Sequence, residues 1–142
     1  GFNAYGYDIS EYALENVPVD VQEYIYHGEA WTNKRWNWII CKDVLEHIGY
    51  NHINNVIKQL RSCSENIFVV VPLSDNGKTY NEPAYELDIT HIIREDILWW
   101  KNTFESHLIE VVEFGPDLPG IKDNWKKHQR SNGFFKLKTN IL

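Results

Sequence analysis

Apolar and polar positions along this chain fall into short blocks that alternate between a two-residue and a helical period. Asn3 to Ile9 reads as a short strand ending at Asp8. Ser10 follows as a good helix N-cap, with acidic residues in the first turn of Glu11-Tyr-Ala-Leu-Glu-Asn16, and Pro18 stops that helix. Val21 to His27 alternates and is rich in β-branched and aromatic residues, so it predicts a second strand closed by Gly28. Trp36 to Cys41 is nearly all apolar, the pattern of a strand buried on both faces. Behind it, Val44, Leu45, Ile48, Ile53, Val56, Ile57 and Leu60 keep a rough helical period, loosened around Gly49. They predict one helix from Val44 to Ser62.

Asn66 to Leu73 is a further continuous apolar run and a fourth strand. Ser74 to Thr90 is polar, contains Gly77 and Pro83, and has the length of a functional lid rather than a plain connector. Arg94 to Ser106 predicts a helix carrying Ile97, Leu98, Trp100 and Phe104. His107 to Phe114 and Gly133 to Thr139 are the last two strands, with a short basic helix expected over 124–129 between them. The order of elements is that of an α/β fold with a mainly parallel sheet and an antiparallel finish.

Composition narrows the class. A chain of 142 residues, 43% hydrophobic and 24% charged, is expected to form one globular domain over residues 1–142. The longest apolar run, Ile67 to Val71, is too short to cross a bilayer, so no membrane partner is expected. The N-terminus has neither a basic segment nor an apolar stretch of signal-peptide type, which points to a cytoplasmic protein. A net charge of -6 argues against a nonspecific nucleic-acid footprint. Lys122, Lys126, Lys127, Arg130, Lys136 and Lys138 do cluster, as a solvated face or as the contact for an anionic substrate. The two cysteines, Cys41 and Cys63, lack CxxC spacing and read as free thiols. The chain has no methionine and opens directly on strand-like sequence, so Gly1 is expected to be either a tag-cleavage remnant before a native Phe2 or the start of an N-terminally truncated piece.

The candidate chemistry sits where strands end. In open α/β sheets ligands lie at the carboxyl ends of the strands, which singles out Asp8 and the Lys42-Asp43 pair. Asp43, Glu46, His47 and His91 are candidate proton acceptors. On a helix beginning at Asp43, Glu46 and His47 come three and four residues later, so all three can share one face. Each has a plainer reading: Asp8 as a helix cap, Glu46 as a solvated helix residue, His47 as a packed structural histidine, His91 as a cap. Six histidines are scattered along the chain, but there is no HExxH, and His47 and His52 are wrongly spaced for one helical face. A metal is therefore not the primary reading, and no metal ligand is assigned. Nucleophilic catalysis has no support either, since GxSxG is absent and neither cysteine has an evident histidine partner.

Five segments resemble the class I S-adenosylmethionine-dependent methyltransferases of small-molecule type, over nearly the whole chain. Asn3-Ala-Tyr-Gly-Tyr-Asp-Ile-Ser10 is similar to that family's second strand, an apolar run ending G-x-D-x-S. His27-Gly-Glu-Ala30 is similar to the turn after its third strand. Trp36 to Ile48, ending D-V-L-E-H-I, resembles its fourth strand and the helix behind it, and Phe68 to Leu73 its fifth strand. Asp88-Ile-Thr-His91 resembles the D-x-T-H that often precedes its late helix.

The resemblance implies a Rossmann-like methyltransferase sheet flanked by helices, S-adenosylmethionine as cofactor and a small-molecule methyl acceptor. It implies that Asp8 takes the ribose hydroxyls and that Ile9 flanks the adenine. Glu29 and the Ala30 backbone would meet the adenine edge, with Trp31 either covering the ring or in the core. Cys41 and Lys42 would line the sulfonium, with Asp43 near the acceptor. The family's first strand and glycine-rich turn would precede Gly1. Three arrangements accommodate their absence: a truncated piece, a sheet closing directly between the first and third strands predicted above, or a strand from a second copy. The last leads to the alternative reading, a degenerate fold without cofactor that acts as a non-enzymatic, dimerising module.

Overall fold

A computed structural model describes residues 3–122 and 126–140. The chain divides into two compact units, Gly1–Arg35 and Trp36–Leu142.

In the smaller unit, strand β1 (Gly6–Asp8) pairs in parallel with β2 (Ile25–His27), in the register Asp8↔His27. Between them runs the five-residue helix α1 (Glu11–Glu15). Its N-terminus is closed by the Ser10 side chain, which accepts from the Ala13 N–H at 3.2 Å, as the sequence leads one to expect. Both strands are shorter than their apolar patterns. Residues Gln22–Tyr24 coil into a 3-10 turn instead of extending β2, because the Tyr24 N–H donates locally to the Val21 carbonyl there.

The larger unit is a four-stranded sheet in the order β3-β4-β6-β5, made of β3 (Trp36–Lys42), β4 (Ser64–Pro72), β5 (Ile109–Pro116) and β6 (Asn132–Thr139). β3 and β4 are parallel, and β6 enters antiparallel between β4 and β5, so the antiparallel finish is present. The strands predicted first and third lie in separate sheets.

Burial explains which elements hold this unit together. β4 has a partner on each edge and buries Ile67, Val69, Val70 and Val71. Helix α2 (Ile53–Cys63) contributes Ile53, Ile57 and Leu60 to the core at helical spacing. Helix α3 (Ile97–Ser106), capped by Asp96 on the Trp99 N–H at 2.7 Å, contributes Ile97, Trp100 and Phe104. Phe104 meets Phe135 of β6 edge-on at 5.2 Å, and Phe114 stacks on Phe135 at 6.1 Å.

Four expectations need correction. β3 is not buried on both faces: it lies at an edge of its sheet, and Trp38 and Ile40 are 49% and 70% exposed. The single helix expected from Val44 is a 3-10 turn over Leu45–His47 followed by α2, because Asp43 takes a left-handed backbone (φ 57°) and Gly49 breaks the run. The loop over 74–90 contains a 3-10 turn, Pro83–Leu87, and is internally tied. Asn76 Oδ1 accepts from the Lys78 and Thr79 N–H groups, and the Ser74 hydroxyl donates to the Thr79 carbonyl. The basic helix expected over 124–129 falls in part outside the described residues, and Lys127 to Gln129 form turns.

Phe104 is fully buried and stands between two aromatic neighbours, so Phe104→Ala is expected to destabilise by about 3–5 kcal/mol. Urea unfolding measures it, and a loss below about 1 kcal/mol would mean that the α3–β6 contact is not part of the core.

Candidate functional site

In the smaller unit, the parallel pairing of β1 and β2 puts their carboxyl ends side by side. The Gly28 N–H donates to the Asp8 carbonyl at 2.8 Å, and a ring nitrogen of His27 lies 3.1 Å from the Ile9 carbonyl. Asp8, Ile9, Glu29 and Ala30 therefore emerge at one end of this sheet, and all four are exposed. Gly28 makes the tight turn between β2 and Glu29 with φ 84°, a conformation glycine adopts without strain. Asp8 does cap the turn behind it, its Oδ1 accepting from the Ser10 N–H at 2.8 Å. An ionised carboxylate has about four acceptor positions, so this bond leaves capacity for other donors.

In the larger unit, the carboxyl end of β3 carries Cys41, Lys42 and Asp43. Cys41 is buried, and desolvation pushes its thiol up to about 12, so it is a packing residue and not a nucleophile. The Asp43 N–H donates to the Val70 carbonyl at 3.0 Å, prolonging the β3–β4 ladder by one bond. Lys42 Nζ lies 3.0 Å from Asp43 Oδ2, and Lys122 Nζ bonds Asp43 Oδ1. Lys122 also donates to the Tyr85 hydroxyl at 3.1 Å and to Asn132 Oδ1 at 3.3 Å. Burial works against the Lys122 charge, but the hydrogen bonds to Asp43 and Tyr85 outweigh it and hold its pKa above the ordinary lysine value. Sequence reasoning saw Lys122 only as one of six clustered basic residues. Its partner Asp43 is far away in sequence, so linear pattern gives no sign of the pair.

The 3-10 turn after β3 drives Leu45 and Glu46 inward, to 0% and 1% exposure. The Glu46 carbonyl accepts from the Ile92 N–H at 2.9 Å and the Ile93 N–H at 3.0 Å, and this pair of backbone bonds draws in the segment carrying His91. His47 and His91 stand 4.6 Å apart, ring centre to ring centre. Each has an Nε2 atom 4.0 Å from Glu46 Oε1. Arg94 secures the same segment. Its guanidinium bonds both Glu86 oxygens, donates to the His91 carbonyl at 3.2 Å and lies over the Tyr80 ring. The paired Arg94 holds the Glu86 carboxyl below its usual range.

Glu46 is the unusual group. Its Oε2 is buried without a hydrogen-bond partner. Desolvation, reinforced by the Asp43 charge, pushes the carboxyl up to about 7 against the opposing pull of its own backbone N–H and of Lys122. The sequence places Glu46 on a solvated helix face, and the structure corrects that: no helix forms there and the side chain is interior. Of the other candidate bases, His47 and His91 come together around Glu46, whereas Asp43 is engaged by two ammonium groups.

No protein-family model matches the chain, and no curated protein matches it in sequence. Solved structures do match it in fold. An S-adenosylmethionine-dependent methyltransferase from Archaeoglobus fulgidus superposes with a TM-score of 0.66 at 14% identity, over 95% of this chain and 75% of that one. The magnesium protoporphyrin IX methyltransferase of Synechocystis, with bound S-adenosylhomocysteine, gives 0.65 at 14% identity, over 96% and 64%. A glycopeptide N-methyltransferase complexed with S-adenosylmethionine gives 0.66 at 10% identity, over 99% and 73%. The chain has the class I S-adenosylmethionine-dependent methyltransferase fold, α/β and Rossmann-like, as the sequence resemblance implies. No helix among the described residues is long and apolar enough to cross a membrane.

A carboxyl raised from 4.5 to about 7 binds its proton more tightly when the protein is folded. It therefore adds stability that is complete below about pH 4.5 and lost as pH rises through about 7, on the order of 3 kcal/mol. Glu46→Gln removes the ionisation. In the presence of a chelator it is expected to melt above the parent protein at pH 8, with the gap closing by pH 5. Equal melting temperatures at pH 8 would show that the Glu46 ion is compensated in the folded protein.

Proposed function

We propose that this chain binds S-adenosylmethionine and transfers its methyl group to a small-molecule acceptor. What supports this reading above all is a set of carboxylates stationed at the carboxyl ends of parallel strands in a methyltransferase fold.

In the smaller unit the exposed Asp8 suits a ribose diol, because a carboxylate can accept from two neighbouring hydroxyls while keeping its bond to the Ser10 N–H. Ile9 offers an exposed apolar side chain for the adenine face, and Glu29 and Ala30 supply an acceptor and a backbone donor for its edge. In the larger unit Cys41, Lys42 and Asp43 line the sulfonium side, and Asp43, His47 and His91 are the acceptor-side groups. The cofactor supplies an already activated methyl group. The protein's task is then alignment, with a proton acceptor needed only where the attacking hydroxyl or amine is protonated. Lys42 and Lys122 fix the Asp43 carboxylate from both sides, which suits an aligning role better than a mobile one.

One observation favours a second reading. Trp38 and Ile40 are exposed on edge strand β3, and a second copy of the chain covering them would give a dimerising, non-enzymatic module.

Calorimetric titration with S-adenosylhomocysteine separates the two. Saturable 1:1 binding is expected, and Asp8→Ala is expected to weaken it by about 1–3 kcal/mol, as loss of charge-assisted bonds would. Unchanged affinity in that variant would remove the ribose assignment. No heat at all, together with a dimer that Ile40→Lys converts to monomer, would favour the second reading.

A further inference from the structure

We propose that Glu46, His47 and His91 bind one divalent first-row transition-metal cation. The geometry assigns the tautomers of both imidazoles. His91 Nδ1 lies 2.9 Å from the Tyr85 carbonyl, which can only accept, so Nδ1 carries the proton and Nε2 presents a lone pair. His47 Nδ1 lies 2.9 Å from the Thr90 hydroxyl oxygen. That hydroxyl spends its hydrogen on Asp88 Oδ1 at 2.5 Å, so it accepts from His47 and leaves His47 Nε2 as a second lone pair. Anchoring one ring nitrogen to a carbonyl or hydroxyl while the other faces inward is the usual support of a metal-bound histidine.

Both lone pairs face Glu46 Oε1 at 4.0 Å, too long for a hydrogen bond. One ligand atom from each of the three side chains lies within 4.8 Å of the other two. Atoms bonded at about 2.1 Å to one tetrahedral ion lie about 3.4 Å apart, so side-chain movements of about 0.5–1.5 Å close the set. A second and independent observation points to the same centre. Glu46 is 1% exposed and its Oε2 has no partner, so a buried acceptor is left without a donor beside two further lone pairs. A cation satisfies all three groups at once.

Two imidazoles and one carboxylate suit zinc, iron, cobalt, nickel or manganese rather than calcium or magnesium, whose preferred ligands are oxygen atoms. Asp88, 3.7 Å from His91 Nε2, is the adjacent carboxylate available for a further bond. His47, 32% exposed, marks the solvent side by which an ion enters and where oxygen ligands can complete the shell. A bound cation would assign His47 and His91 to metal binding rather than to proton transfer.

The test is titration of the untagged, chelator-treated chain with Co2+, monitored by visible absorption and calorimetry, without cofactor. Failure of the methyltransferase reading would therefore leave its result unaffected. One equivalent is expected to bind and to give ligand-field bands. Glu46→Gln and His91→Gln, each confirmed as folded by circular dichroism, are expected to weaken binding at least about tenfold. His107→Ala, outside the cluster, should bind as the parent does. Mg2+ at the same concentration should not displace Co2+. Absence of binding, binding retained in both cluster variants, equal loss in His107→Ala, or displacement by Mg2+ would each overturn the proposal.

Discussion

Burial of Glu46 is the constraint on which the larger unit's site depends. Its main chain and its side chain act in opposite directions. The carbonyl accepts two backbone N–H bonds from Ile92 and Ile93 and so ties the end of β3 to the segment before α3. The carboxylate arrives in the interior as a consequence, with one oxygen unsatisfied. A buried carboxylate without full hydrogen bonding costs stability, and apolar residues at such positions are usually the more stable choice. A glutamate held there beside two oriented imidazoles is the arrangement on which the proposed cation site rests.

Around that centre the polar contacts are arranged to remove freedom. Tyr80 is buried, its hydroxyl donates to the Ile93 carbonyl at 2.7 Å, and its N–H is held by Glu86. Arg94 bridges Glu86 and the His91 carbonyl, and Tyr80 and Tyr85 make T-shaped ring contacts with His91. Lys122 ties Asp43 to Tyr85 and Asn132, so the end of β3, the 3-10 turn Pro83–Leu87 and the start of β6 share one ammonium group. These contacts hold the groups in fixed positions on the sheet, as the proposed alignment of a methyl acceptor would need. The loop over 74–90, long enough to read as a lid, is a tied strap that carries Asp88 and Thr90, and His91 just beyond them, to their positions.

The fold was legible in the sequence because its signals are local. The apolar run of β4, the Ser10 cap and the periodic face of α2 each arise from residues within a few positions of one another. So does the D-V-L-E-H-I after β3. What was not legible depends on contacts between distant segments. The left-handed Asp43 turns Leu45 and Glu46 inward instead of starting a helix, and nothing in the periodicity of Val44 to Leu60 marks that. Edge position, not composition, decides that Trp38 and Ile40 are exposed. His47 and His91 were visible singly, but their convergence on Glu46 arises from the Ile92 and Ile93 backbone bonds, which no side-chain pattern encodes.

The proposed function requires an adenosyl cofactor at the strand ends of this fold. Amide chemical shifts of the 15N-labelled chain, recorded while S-adenosylhomocysteine is added, test it most directly. Perturbations concentrated at Asp8–Ile9, Gly28–Ala30 and Cys41–Asp43 are expected. A spectrum unchanged by excess ligand, or changes confined to residues away from these strand ends, would contradict it.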